Sequence, residues 1–85
     1  MYTVYGIYSP QFNKIYIGQT NDLDRRITEH NNGVFAGYTK RFIPWEIVYT
    51  ENIHTRSEAL KREKQLKSQK GRAFIWDIIK KKYSF

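Results

Sequence analysis

The residues of this chain that could do chemistry fall into three groups. The first is a pair of tyrosines, Tyr8 and Tyr16, each close to a glycine, Gly6 and Gly18. A phenol both donates and accepts hydrogen bonds, so two on one surface can orient a water or hold a phosphate oxygen. The second is Arg26 with His30, one helical turn apart and therefore on one face of a helix. The guanidinium fork suits phosphate oxygens, and the imidazole can move a proton or bind phosphate. The other use of Arg26 is as a solvated residue whose aliphatic stem lies over the core. The third is Glu63, which falls among the apolar positions Ala59, Leu60 and Leu66 of its helix. A carboxylate there needs a partner. Either Lys67 supplies it one turn later, or the carboxylate holds a cation. Magnesium is often held by one or two carboxylates together with substrate phosphates.

The elements that must position these groups are legible from composition. Residues 2–8 and 14–19 are rich in β-branched and aromatic types and predict two strands joined by a turn around Ser9-Pro10-Gln11-Phe12-Asn13. Centring that turn on Phe12 places Tyr8 opposite Tyr16, Gly6 opposite Gly18, and Ile7 opposite Ile17 on the other face. In this register two phenols stand side by side above a floor of two glycines, and strand glycines often mark the close approach of a ligand. A plain aromatic cross-strand pair is the other outcome of the same spacing. Asn21 predicts an N-cap for a first helix that runs to about His30 and stops at Asn32-Gly33. Residues 34–44 predict a loop, and Trp45 to Thr50 a third strand. Thr55 and Glu58 have capping-box spacing for a second helix to about Gln69. Gly71 is expected to break it, and a third helix follows from about Arg72 to Lys82 with Phe74, Ile75, Ile78 and Ile79 as its apolar stripe. The expected fold is α+β: a small three-stranded antiparallel sheet flanked by three helices, in the order β-β-α-β-α-α, as one domain over residues 1–85.

Composition excludes several alternatives. The 85 residues contain no cysteine, which removes disulfides, thiolate zinc and a cysteine nucleophile, and two histidines are too few for a dedicated zinc cage. No apolar run reaches the ~20 residues of a membrane span. Met1 leads into an alternating pattern without a basic or apolar leader, so the expected compartment is the cytoplasm. Fifteen Lys/Arg against eight Asp/Glu leave a net charge of +7, which implies a polyanionic partner. Lys61, Arg62, Lys64, Lys67, Lys70 and Arg72 crowd around Glu63, and Lys80–Lys82 form a second cluster. Such surfaces track phosphates without reading sequence.

Gly6-Ile7-Tyr8 followed by Tyr16-Ile17-Gly18 resembles the paired signature that names the GIY-YIG nuclease family. Arg26, His30 and the run Ser57-Glu58-Ala59-Leu60-Lys61-Arg62-Glu63 follow where that family carries its helical arginine, a histidine and its metal-binding acid. The similarity is strongest to short, stand-alone bacterial members related to the excision-repair nuclease catalytic domain. The resemblance implies hydrolysis of DNA phosphodiesters with one Mg²⁺ or Mn²⁺, with a possible role in DNA repair or processing. It implies Glu63 as metal ligand, Arg26 as the group that stabilises charge on the phosphate, Tyr8 or Tyr16 as the residue that handles the attacking water, and His30 as base or phosphate ligand. Lys40, Lys61, Lys64, Lys67, Lys70 and Arg72 are the expected nucleic-acid contacts, with DNA the expected partner, RNA a second, and no membrane. One position departs from the pattern: where many members carry an asparagine after the metal-binding acid, this chain has Ile75. The alternative is accordingly a catalytically weak nucleic-acid-binding module of the same fold. A protein-interaction role for Phe35, Tyr38 and Phe42 is a third.

Overall fold

A computed structural model describes residues 1–84. Strands β1 (Tyr2–Ser9), β2 (Lys14–Thr20) and β3 (Glu46–Ile53) form an antiparallel sheet in the order β2-β1-β3. Four helices accompany it: α1 (Leu23–Asn31), α2 (Tyr38–Arg41), α3 (Arg56–Leu66) and α4 (Gln69–Tyr83). The expected architecture is present, with one addition, because the stretch expected as pure loop contains the short α2.

The central strand β1 is covered on both sides, and its sequence is apolar almost without interruption for that reason. On one face Val4, Tyr8, Ile15 and Ile17 pack against Ala59, Leu66, Ile75 and Ile79 of α3 and α4. On the other, Tyr5, Ile7 and Trp45 pack with Tyr16, Leu23, Ile27 and Phe42.

The hairpin register differs from the expected one by a single residue. Tyr5 pairs with Gly18, Gly6 with Ile17, Ile7 with Tyr16 and Tyr8 with Ile15. The cause is the loop. Ser9 pairs with Lys14 and closes a four-residue connection, in which Asn13 takes a left-handed φ of 56° and donates its N–H to the Ser9 carbonyl at 2.7 Å. A turn centred on Phe12 needs an odd number of loop residues. Because strand side chains alternate, the one-residue difference moves one tyrosine of the expected pair through the sheet.

The helix boundaries follow local chemistry. Asp22, not Asn21, caps α1, its carboxylate accepting the Arg25 N–H at 3.2 Å. Thr55 caps α3 as expected by accepting the Glu58 N–H. Gly71 does not break a helix: Ser68 caps α4, and the Gly71 N–H donates to the Ser68 hydroxyl within the first turn. Its missing side chain serves a different need. A Cβ there would lie 2.4 Å from the Leu66 Cα, so glycine lets α3 and α4 meet at a tight corner. The buried stripe of α4 narrows to Ile75 and Ile79, with Phe74 45% exposed, and Leu60 of α3 is 41% exposed rather than buried.

Candidate active site

Tyr5 is wholly buried on β1, and its phenol oxygen lies 3.0 Å from Nε2 of His30. Tyr16 on β2 packs beside both, with ring centroids 6.3 Å from Tyr5 and 5.1 Å from His30. Phe35 closes over the imidazole at 4.8 Å. The Arg26 guanidinium stacks 5.1 Å from the centre of the Phe35 ring.

Two anchors hold this cluster. Asn31, directly after His30, donates to the Trp45 carbonyl at 3.1 Å and accepts the Trp45 N–H at 2.6 Å, while the Trp45 indole donates to the Thr39 carbonyl at 2.8 Å. The end of α1 is thereby tied to the start of β3, which fixes His30. The second anchor is Gly18. A Cβ at this position would fall 2.6 Å from the Tyr5 phenol oxygen, so glycine is what lets the ring lie across β2.

Tyr8 stands elsewhere. Its ring is on the opposite face of the sheet, 5.8 Å from Trp76 and 5.0 Å from Tyr83, and its hydroxyl donates to Asn13 at 2.8 Å. The expected Tyr8–Tyr16 pair is therefore corrected to Tyr5–Tyr16, because the register slip exchanges the two faces. The glycine floor is corrected with it. Gly6 packs against Ile75 of α4, whose side chain would be 3.4 Å from an added Cβ, and Gly18 is covered by the Tyr5 phenol.

The electrostatics of Tyr5 report its neighbourhood. Burial first, then Tyr16, pushes its phenol well above the ordinary tyrosine range. Arg26 acts in the opposite direction, and Glu63 adds to the rise. Burial and then the Arg26 charge hold His30 below the usual histidine value, with Glu29 opposing them. His30 is 2% exposed, and its Nδ1 is buried without a partner among the described residues.

Glu63 lies on α3 with a side chain 19% exposed, and Lys67 meets its carboxylate at 2.7 Å. Of the two outcomes expected for this acid, the lysine partner is the one present. No cluster of three or more His, Cys, Asp or Glu side chains able to hold a metal occurs among the described residues. The Glu63 carboxylate is an oxygen donor of the kind that fits a hard cation keeping much of its water, such as Mg²⁺. Arg26 also borders two polar cavities of about 110 and 220 Å³, the first shared with Asn21 and Asp22, the second with Gln19 and Arg56. Ile75, at the position where the resemblance expects asparagine, is fully buried against the sheet and offers nothing to this surface.

The expected nucleic-acid contacts divide. Lys40, Lys61, Lys64 and Lys70 are exposed residues of α2, α3 and α4. Lys67 and Arg72 meet at the α3–α4 corner, where the Arg72 Nε donates to the Lys67 carbonyl at 3.1 Å. Tyr5 is the member of the cluster that sequence spacing misses. Its signal is Asn13, a residue that tolerates left-handed backbone and closes an even-numbered loop.

Comparison with known proteins bears on the family and the fold. A UPF0213 protein of Staphylococcus saprophyticus is 48% identical over 54 residues, which is 64% of this chain and 66% of that protein. A UPF0213 protein of Haloquadratum walsbyi is 46% identical over 54 residues, 64% of this chain and 61% of its own length. The chain thus aligns with slightly less than two thirds of these relatives. The solution NMR structure of a UPF0213 protein from Bacillus halodurans superposes with a TM-score of 0.51 at 29% identity, covering 92% of this chain and 85% of that one. The family model for the GIY-YIG catalytic domain matches residues 1–82, and the chain therefore belongs to the GIY-YIG family.

Proposed function

We propose that the chain is a metal-dependent endonuclease that hydrolyses DNA phosphodiester bonds with little sequence specificity, in DNA repair or processing in the cytoplasm. The observation that carries this is the meeting of Tyr5, Tyr16 and His30 in one cluster, bordered by Arg26 through the Phe35 ring and by the Glu63–Lys67 pair, whose lysine lines a groove with Tyr16.

The roles follow from the environments. Arg26, 38% exposed at its side chain, is free to turn its fork toward a phosphate, since its contact with Glu29 is a long 3.9 Å. Losing a charge-stabilising donor of this kind costs ~10²–10³ in rate. Tyr16 is only partly buried and presents its hydroxyl for the attacking water. Tyr5 stays a neutral phenol and works as a hydrogen-bond relay, not as a base. One hydrogen bond joins the Tyr5 phenol to His30 Nε2, its direction set by the imidazole tautomer. Glu63 would hold the Mg²⁺ or Mn²⁺, which when bound supplies Lewis acidity at the phosphate and stabilises the leaving oxygen.

The 2.7 Å Lys67 contact on Glu63 favours a second reading, in which the same surface binds nucleic acid with little or no cleavage. One experiment separates them. Labelled duplex, single-stranded and branched DNA, together with RNA, is incubated with the chain in Mg²⁺, Mn²⁺ or EDTA, with Glu63→Gln alongside. Cleavage that requires metal and disappears in Glu63→Gln supports the nuclease. Salt-sensitive binding by both proteins without cleavage supports the binding module.

A further inference from the structure

A further groove, part apolar and part cationic, runs across the outer edge of β2. It is a cavity of about 260 Å³ lined by Ile15, Tyr16, Ile17, Tyr38, Lys67 and Arg72. We propose that it is a nucleotide subsite, with Lys67 and Arg72 as contacts for a backbone phosphate and the Tyr38 ring as a stacking surface for the attached base. The identity of the ligand rests on the nucleic-acid-processing reading above.

The strand edge is already blunted. The Tyr38 hydroxyl donates to the Ile15 carbonyl at 3.0 Å, occupying an edge acceptor that an added strand would need. The groove is therefore suited to a ligand of different chemistry, and its lining says which. Two of its side chains are cationic and none is acidic. Glu63 is the acid paired with Lys67, while Arg72 has no carboxylate partner among the described residues. The Arg72 fork is held by its Nε bond to the Lys67 carbonyl, which leaves its terminal nitrogens for a phosphate in a preorganised geometry. The Arg72 charge also acts on the Tyr38 phenol, opposing the upward push of burial, so cation and ring share one space.

Tyr38 is 44% exposed, an unusual cost for a large aromatic at a cationic groove. Its ring is braced by Phe42 at 5.0 Å and Trp45 at 6.1 Å. A braced, open ring beside cations is how proteins stack a base while holding its phosphate. Tyr16 belongs to both places: it lines the groove and packs on Tyr5 and His30. A nucleotide seated in the groove thus puts the next phosphodiester of its strand at the candidate centre.

The test is an NMR titration of the ¹⁵N-labelled full chain with the dinucleotide pTpT in the absence of divalent metal. The expected result is that amide shifts concentrate at residues 15–17, 38 and 72. Arg72→Gln and Tyr38→Ala, checked for folding by thermal melting, are each expected to weaken pTpT binding about tenfold, a size typical of one stacked base or one charged contact. Tyr38→Phe keeps the ring and the affinity. Asp77→Asn, on α4 outside the groove lining and paired with Lys81, leaves binding unchanged. Shifts confined to residues 80–82, shifts spread evenly over the basic surface, or no shifts overturn the proposal, and this map needs no variant to fold. Cleavage by the native chain without groove shifts removes the subsite and leaves the centre. Groove shifts without cleavage remove the nuclease reading and leave the subsite.

Discussion

The Tyr5 phenol meets Nε2 of His30 at 3.0 Å across a separation of 25 residues. This bond joins the central strand to the end of α1. It sits on the face that the hairpin register gives to Tyr5 and Tyr16, and not on the face of Tyr8. Gly18, directly across from Tyr5, leaves the space in which the bond forms.

Tyr5→Phe and Tyr8→Phe therefore have opposite signatures. The first removes a relay hydroxyl inside the cluster and is expected to lower the rate of DNA cleavage by ~10²-fold or more, the lower range for a positioned acid–base group. The second removes a hydroxyl on the far face that ties down Asn13. It is expected to cost ~1 kcal/mol of stability and leave the rate within about twofold. Cleavage kinetics and urea melts on both variants check this. Equal rate losses in the two would refute the face assignment.

Gly18→Ala tests the close approach directly. The added methyl meets the Tyr5 oxygen at 2.6 Å and the Tyr16 ring at 3.1 Å. Tyr5 is fully buried and has little room to withdraw. Overpacking of this kind is expected to cost ~1–3 kcal/mol and to break the bond to His30, with loss of cleavage. Chemical denaturation gives the first number, and the His30 ring proton shifts report the bond.

His30 carries a pH dependence whose sign is fixed by its burial. Its folded pKa lies below the unfolded value of about 6.5, so the unfolded chain takes up the proton more readily. The stability it contributes is complete above about pH 6.5 and is lost as pH falls through the lower folded value. Thermal midpoints of the native chain are expected to drop between pH 7.5 and 5 more steeply than those of His30→Gln. Parallel slopes would mean that other groups carry the dependence.

Gly71→Ala is expected to be among the most damaging of single methyl additions. Its Cβ would lie 2.4 Å from both the Leu66 Cα and the Leu66 carbonyl oxygen, which are backbone and cannot swing aside. A loss of ~3 kcal/mol or more is expected from denaturant midpoints, at the top of the overpacking range. Because the same corner sets Lys67 against Arg72, binding to nucleic acid is expected to weaken as well.

Much of this protein was determined by its sequence alone. Strand and helix types follow from local composition, since β-branched runs, the Thr55 cap and the Asn32-Gly33 stop act within a few residues of chain. The basic surface and the absence of thiol chemistry follow from counting. Arg26, His30 and Glu63 were legible because helical spacing assigns faces without reference to the rest of the molecule. The identity of the second tyrosine was not. Strand faces alternate at every residue, so the choice between Tyr5 and Tyr8 hung on whether one loop held an odd or an even number of residues, and that was decided by Asn13 closing on Ser9. Gly71 misled for a related reason: its value lies in the approach of Leu66, which no window of local sequence contains. Tyr38 and Arg72, far apart in the chain, share a groove only because β2 lies at the sheet edge between them. Only the tertiary structure could decide these points, because each depends on a distance between residues that the chain itself does not bring together.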